Sequence, residues 1–125
     1  MNSHHLVAAL EHERELLREF YALSEKQLLV AETDNLQNVG ELLDQRRDLM
    51  LQLSVLEANL SVWIDYVRFE EQVSIAVVRR LRSTRDDIVA LANAVVDVDE
   101  RTNDLLDLSA SIHRQPRVFA SLELN

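Results

Sequence analysis

The sequence predicts an all-α fold, an antiparallel bundle of three or four long amphipathic helices, and three observations predict it. The 125 residues include one glycine and one proline, far below ordinary usage, whereas sheet folds need turn residues at short intervals. Leucines and other apolar residues recur at helical spacing along most of the chain. Hydrophobic residues make up 47%, enough to bury a core and too many for a disordered acidic segment. The length suits one domain, read as a helical bundle over residues 1–112 with a C-terminal tail over 113–125.

The first helix is expected to start near Ser3, which can cap it. Leu6, Ala9, Leu10, Leu16, Leu17, Phe20, Leu23 and Ala31 fall on one side of a helical wheel, interrupted by Glu13 and Ser24. Arg14, Glu15, Arg18 and Glu19 lie largely on the other. The pattern weakens from Val30 to Asp34, and Thr33 or Asp34 can cap the next helix, so a tight turn belongs there. The second helix runs from about Asn35, with Leu36, Val39, Leu42, Leu43, Leu49, Met50, Leu53, Leu56 and Leu60 as its apolar stripe. Gly40 lies inside it at a cost of roughly 1 kcal/mol relative to alanine, which a close helix approach or a small bend would justify. Leu17, Phe20, Leu42, Leu49, Leu53 and Leu56 are the expected core of this hairpin.

Beyond Gly40 no glycine or proline occurs until Pro116. A seven-residue spacing runs through Leu53, Leu60, Val67, Ser74, Leu81, Ile88, Val95, Thr102 and Ser109. As one helix this stretch would be too long for a compact domain to cover, at about 1.5 Å per residue, so a hidden turn is expected. Glu57 to Ser61 is one candidate, with Asn59 to end a helix and Ser61 to cap the next. Ser83 to Asp87 is the other, where Ser83 with Asp86 and Thr84 with Asp87 have capping spacing. The third helix is therefore either very long or broken, and both turns together would make a four-helix bundle. Val73 to Val78 and Ile88 to Val98 are rich in β-branched residues, but no turn residues bound them and both fit a helical face. Pro116 is expected to end the last helix, because the residue before proline is pushed out of helical geometry. The tail beyond it, with Val118, Phe119, Leu122 and Leu124, reads as a frayed terminus or a short amphipathic docking segment.

The chain has 13 basic and 22 acidic residues, a formal net charge of −9, which argues against nucleic acid as a partner because phosphates must be neutralised. No apolar run approaches a membrane span. The start, with Glu11 soon after a short apolar run, does not read as a targeting segment, and a cytoplasmic protein is expected. There is no cysteine, which excludes thiolate catalysis and thiolate metal sites. A single glycine cannot build a phosphate loop. Leu16 occupies the place where a helical zinc motif beginning at His12 needs histidine, and Ala9 and Ala110 stand where a di-iron bundle needs glutamate before His12 and His113. No enzyme activity, metal or cofactor is expected.

What remains is surface chemistry. Asp97, Asp99, Glu100, Asp104 and Asp107 form an acidic stretch that reads as a solvated face, since no glycine-driven calcium loop is present. Arg79, Arg80, Arg82 and Arg85 are the basic cluster, a solvated face or a grip for an acidic partner, RNA or a neighbour's acidic stretch. Tyr21 and Phe69 fall off the main stripes and are the aromatic candidates for exposed contacts. Ser74, Arg85, Asp99 and Thr102 interrupt the stripe of the second half, which is then less able to satisfy itself as a core. The second half and the tail are therefore expected to bind a client helix and the first hairpin to be scaffold, the partner-binding set being Val78, Arg79, Arg80, Leu81, Arg82, Arg85, Ile88, Val95 and Leu105. Closing a four-helix bundle is the competing role for its apolar members.

The first half combines a leucine-rich helix, a short Asp-containing turn and a second helix bearing Glu41-Leu42-Leu43-Asp44-Gln45-Arg46-Arg47-Asp48-Leu49-Met50. Later comes Asp99-Glu100-Arg101-Thr102-Asn103-Asp104-Leu105-Leu106. This plan resembles the small helical flagellar export chaperones of the FlgN and FliT type, closely in the first half and loosely in the second. The resemblance implies a cytoplasmic chaperone that holds a hook-filament junction or filament-cap protein before type III export. Its client would be an amphipathic helix laid in a groove, and a second copy of the chain, in a homodimer, is the other candidate partner. A self-associating coiled-coil scaffold, assembled through the seven-residue stripe from Leu53 to Ser109, is the alternative.

Overall fold

A computed structural model describes the backbone of residues 3–33, 39–68 and 73–124, and the side chains of 3–33, 39–62, 64 and 73–108. Among these residues the chain forms three helices and no strand: α1 (Ser3–Thr33), α2 (Val39–Arg68) and α3 (Ile75–Leu124). α1 lies at the centre and packs against both others.

The inner face of α1 is the stripe legible in the sequence. Leu6, Val7, Ala9, Leu16, Leu17 and Phe20 are buried, and so are Glu13 and Ser24. The core falls into two clusters. Leu16, Leu17 and Phe20 meet Leu49 and Leu53 of α2 and Val95 of α3, with Tyr21, Leu23, Leu56, Ile88 and Leu91 around them. Leu6 and Ala9 meet Leu60, with Leu10, Leu56 and Leu81 alongside. Leu56 touches both clusters. Burial of such side chains stabilises by about 1.5–3 kcal/mol each. Of the expected hairpin core, Leu17, Phe20, Leu49 and Leu53 are buried and Leu56 and Leu42 half-buried. Leu43 and Met50 are exposed, because they lie about 100° round the helix from the inner row of Leu49, Leu53 and Leu60.

Buried hydroxyls are satisfied within their own helices. Ser24 donates to the Phe20 carbonyl at 3.0 Å and Thr102 to the Val98 carbonyl at 3.0 Å, so neither leaves an unpaired donor in the core. Two ion pairs tie α1 to α3 at the surface, Glu11 with Arg80 (2.6 Å) and Arg14 with Asp87 (3.1 Å).

The chain breaks elsewhere than the capping patterns suggest. Residues 57–61 are helical, and Leu60 among them is buried against Leu6 and Ala9. Residues 83–87 are also helical, with Thr84 buried and Asp87 paired to Arg14. A capping residue marks a helix start only where the preceding backbone leaves the helix, and at both places contacts with α1 hold it in. The third helix begins after Ser74, whose hydroxyl accepts the Val77 N–H at 3.2 Å while its carbonyl accepts the Val78 N–H at 3.0 Å. Ser74 is thus the N-cap of α3. The preceding residues 69–72, Phe69 among them, lie outside the described residues, as do residues 34–38 with Leu36; of the stretch where a tight turn is expected, Val30 to Thr33 are still helix. α2 begins at Val39 with Glu41 in its first turn, where a carboxylate favours the helix dipole. Gly40 has nothing within 4 Å of where a Cβ would stand, so no close helix approach explains it. α3 does not end at Pro116 but continues to Leu124; proline inside a helix forfeits one hydrogen bond and kinks the helix without necessarily ending it.

Candidate partner-binding surfaces

α2 carries two apolar faces. Leu49, Leu53 and Leu60 point inward, while Leu43, Met50, Leu51, Val55, Val62 and Ile64 are exposed. Met50, Leu51, Val55 and Val62 each retain about 60% of their surface in solvent. Met50, Leu51, Val55 and Val62 fall within about three and a half turns of helix, with Leu43 set apart from them by Asp44, Arg47 and Asp48. Exposed Gly40, Ser54, Ala58 and Ser61 lie among them, and Arg47, Asp44 and Asp48 supply charge at one end. Scattered exposed leucines are ordinary, whereas several large apolar side chains gathered on one helix make this face a candidate interaction surface.

The residues expected to bind a partner in the second half divide into two groups. Val95 is buried in the larger core cluster and Ile88 packs against it. Leu81 packs on the smaller cluster, and Val78 and Leu105 are half-buried. Leu81, Ile88 and Val95 close the bundle instead of standing open, because the stripe from Leu81 to Thr102 faces α1. Arg79, Arg80, Arg82 and Arg85 are exposed. Arg80 is engaged by Glu11 and Arg85 by the adjacent Asp86 at 3.3 Å. Among the described residues Arg79 and Arg82 have no ion-pair partner. Tyr21 is half-buried against the core and not an exposed contact.

One polar hub escapes a reading of the sequence alone. Arg46 donates to Asp99 Oδ2 at 2.7 Å, donates to Gln27, and lies over the Phe20 ring with its guanidinium carbon 4.6 Å from the centroid. It therefore joins all three helices, and its cation–π contact adds about 0.5–2 kcal/mol. Asp99 Oδ1 stays buried without a partner. A signal is present in the sequence: Arg46 falls on the row Leu42, Arg46, Leu49, Leu53, Leu56 and Leu60, where a charge needs partners.

Glu13 is the other buried charge. Burial pushes its carboxyl above the ordinary value of 4.5, and the neighbouring carboxyl of Glu57, by repulsion and by hydrogen bonding, pushes it further. A shallow open groove between α1 and α2 of about 420 Å³ is lined by Leu23, Lys26, Gln45, Asp48 and Leu49; it gathers no nucleophile with a base. Among the described residues no group of three or more histidines and carboxylates is placed to hold a metal ion, and no helix is long and apolar enough to cross a membrane. No family model matches the chain, and no curated protein or solved structure matches it at a significant level.

Proposed function

We propose that this chain is a cytoplasmic export chaperone of the flagellar type, a binding protein without catalysis. Its three helices form an antiparallel bundle whose role is to present the outer face of α2 to an amphipathic helix of a hook-filament junction or filament-cap protein. The observation that carries this reading is the exposed row Leu43, Met50, Leu51, Val55 and Val62. Helix recognition needs an apolar strip several turns long, met by anchors at i, i+3, i+4 and i+7 of the incoming helix. The small residues along that strip leave room for larger client side chains, and the acidic surface keeps a protein with so much exposed apolar area in solution. The flagellar client class comes from the resemblance of the first half of the chain.

Calorimetric titration of the chain with synthetic terminal helices of hook-filament junction and filament-cap proteins tests this. Binding is expected for one class. Leu51→Glu combined with Val55→Glu should weaken it at least about tenfold, or about 1.4 kcal/mol, with unchanged helicity because both sites are exposed. Unchanged affinity in that variant would remove the α2 face from the proposal, and failure of every such client to bind would reject the chaperone reading.

A further inference from the structure

The outer face of α3 has an order of its own. Arg82, Val89, Val96 and Asn103 recur every seven residues, and Val78, Arg85 and Ala92 fill the alternate positions of the same strip. This is a second seam, rotated away from the inner row Leu81, Ile88, Val95 and Thr102. Val89 and Val96 are 51% and 53% exposed. Asn93 is exposed between them. The charges along the strip are sorted. Arg79, Arg82 and Arg85 stand at its N-terminal end with Asp86 among them, a net basic end, and Glu100, Asp104 and Asp107 at its C-terminal end with Asp97 just before them, all exposed. Among the described residues Arg79, Arg82, Glu100, Asp104 and Asp107 have no ion-pair partner in the chain. Arg85 pairs with the adjacent Asp86, an exposed contact of little energetic weight.

We propose that a second copy of this chain packs its α3 on this face in the opposite direction, forming a two-fold dimer. A strip that is basic at one end, apolar in the middle and acidic at the other complements itself only when reversed. An isologous contact supplies that reversal. With the two-fold axis between Ala92 and Asn93, Val89 of one copy comes level with Val96 of the other, and Arg85 with Glu100. Arg82 then lies beside Asp104, and Arg79 beside Asp107, on both sides of the axis. The two Asn93 amides meet at the centre, where a single polar residue fixes register. Parallel packing is disfavoured, because it sets Arg82 on Arg82 and Asp104 on Asp104. The face is separate from the α2 row, so this dimer stands or falls independently of the chaperone reading.

Sedimentation of the full chain over a concentration series reads the association. Twice the chain mass is expected, weakening as salt rises. Arg82→Glu with Arg85→Glu should weaken the dimer at least about tenfold, as should Glu100→Arg with Asp104→Arg. Mixing the two charge variants should restore a dimer, now of unlike copies, since each supplies what the other lost. Direction is read separately, using the absence of native cysteine. Asn93→Cys should cross-link to itself with a short thiol-reactive linker, and Asn103→Cys should not. A chain that stays monomeric throughout, a dimer indifferent to both charge variants, or efficient self-cross-linking of Asn103→Cys would each overturn the proposal.

Discussion

Glu13 stands on the inner face of α1 between Ala9 and Leu16, with the carboxyl of Glu57 beside it. Ionised, it pays for burial and for repulsion by a like charge; protonated, it escapes both and can share its proton with Glu57. The folded chain therefore binds this proton more tightly than the unfolded chain does. The resulting stability is fully present below the ordinary carboxyl value of 4.5 and is lost as pH rises through the raised folded value. Chemical denaturation across that window should show a fall in stability with rising pH from this residue. Glu13→Gln should remove that component and raise the midpoint at neutral pH; an unchanged pH profile would mean that Glu13 ionises freely in the fold. The interruption at Glu13 is visible in the sequence as a charge on an apolar stripe. Its pairing with Glu57 is not, because the partner sits on another helix and only the packing of α1 on α2 sets the pair.

Ser74 illustrates how an element boundary can hide in a regular pattern. The seven-residue spacing passes from Leu60 through Ser74 to Leu81 without a change of phase, since Leu60 and Leu81 pack in the same cluster. A spacing that persists because two helices share one core looks like one helix. Ser74 reads along that row as a weak core position, whereas its hydroxyl accepts the Val77 N–H and starts α3. Ser74→Ala should cost about 0.5–2 kcal/mol, as loss of a helix cap does, measured by thermal or chemical denaturation. Gly40 offers the opposite case. It is exposed in the first turn of α2 and a Cβ there meets open space, so Gly40→Ala should stabilise through backbone entropy alone, by less than the mid-helix value of about 0.5–1 kcal/mol. The helical class and the inner stripes of α1 and α2 are legible because burial selects one face of each helix. The second apolar face of α2 is not separable from the first in the sequence, since Leu43 and Met50 are as apolar as Leu42 and Leu49 and only the position of α1 tells them apart.

The whole molecule has a core in two parts, joined through Leu56 and separated on α1 by Glu13. The larger part gathers three residues of α1, two of α2 and one of α3 as its buried members, while the smaller gathers Leu6, Ala9 and Leu60. Arg46 clamps the three helices within the larger part, through Phe20, Gln27 and Asp99, and the smaller part has no such clamp among the described residues. Fewer buried contacts mean a lower free energy of local opening. Amide protons around Leu6, Leu60 and Leu81 should therefore exchange with solvent deuterium sooner than those around Phe20, Leu49 and Val95. Leu56→Ala should widen that gap, because it cuts the side chain that makes opening at one end felt at the other; equal protection along α1 would show a single cooperative unit. A chain divided in this way can loosen the end where Leu6 and Leu60 meet and still keep its helices in register at the other, and Leu56 is the side chain through which breathing at one end reaches the other.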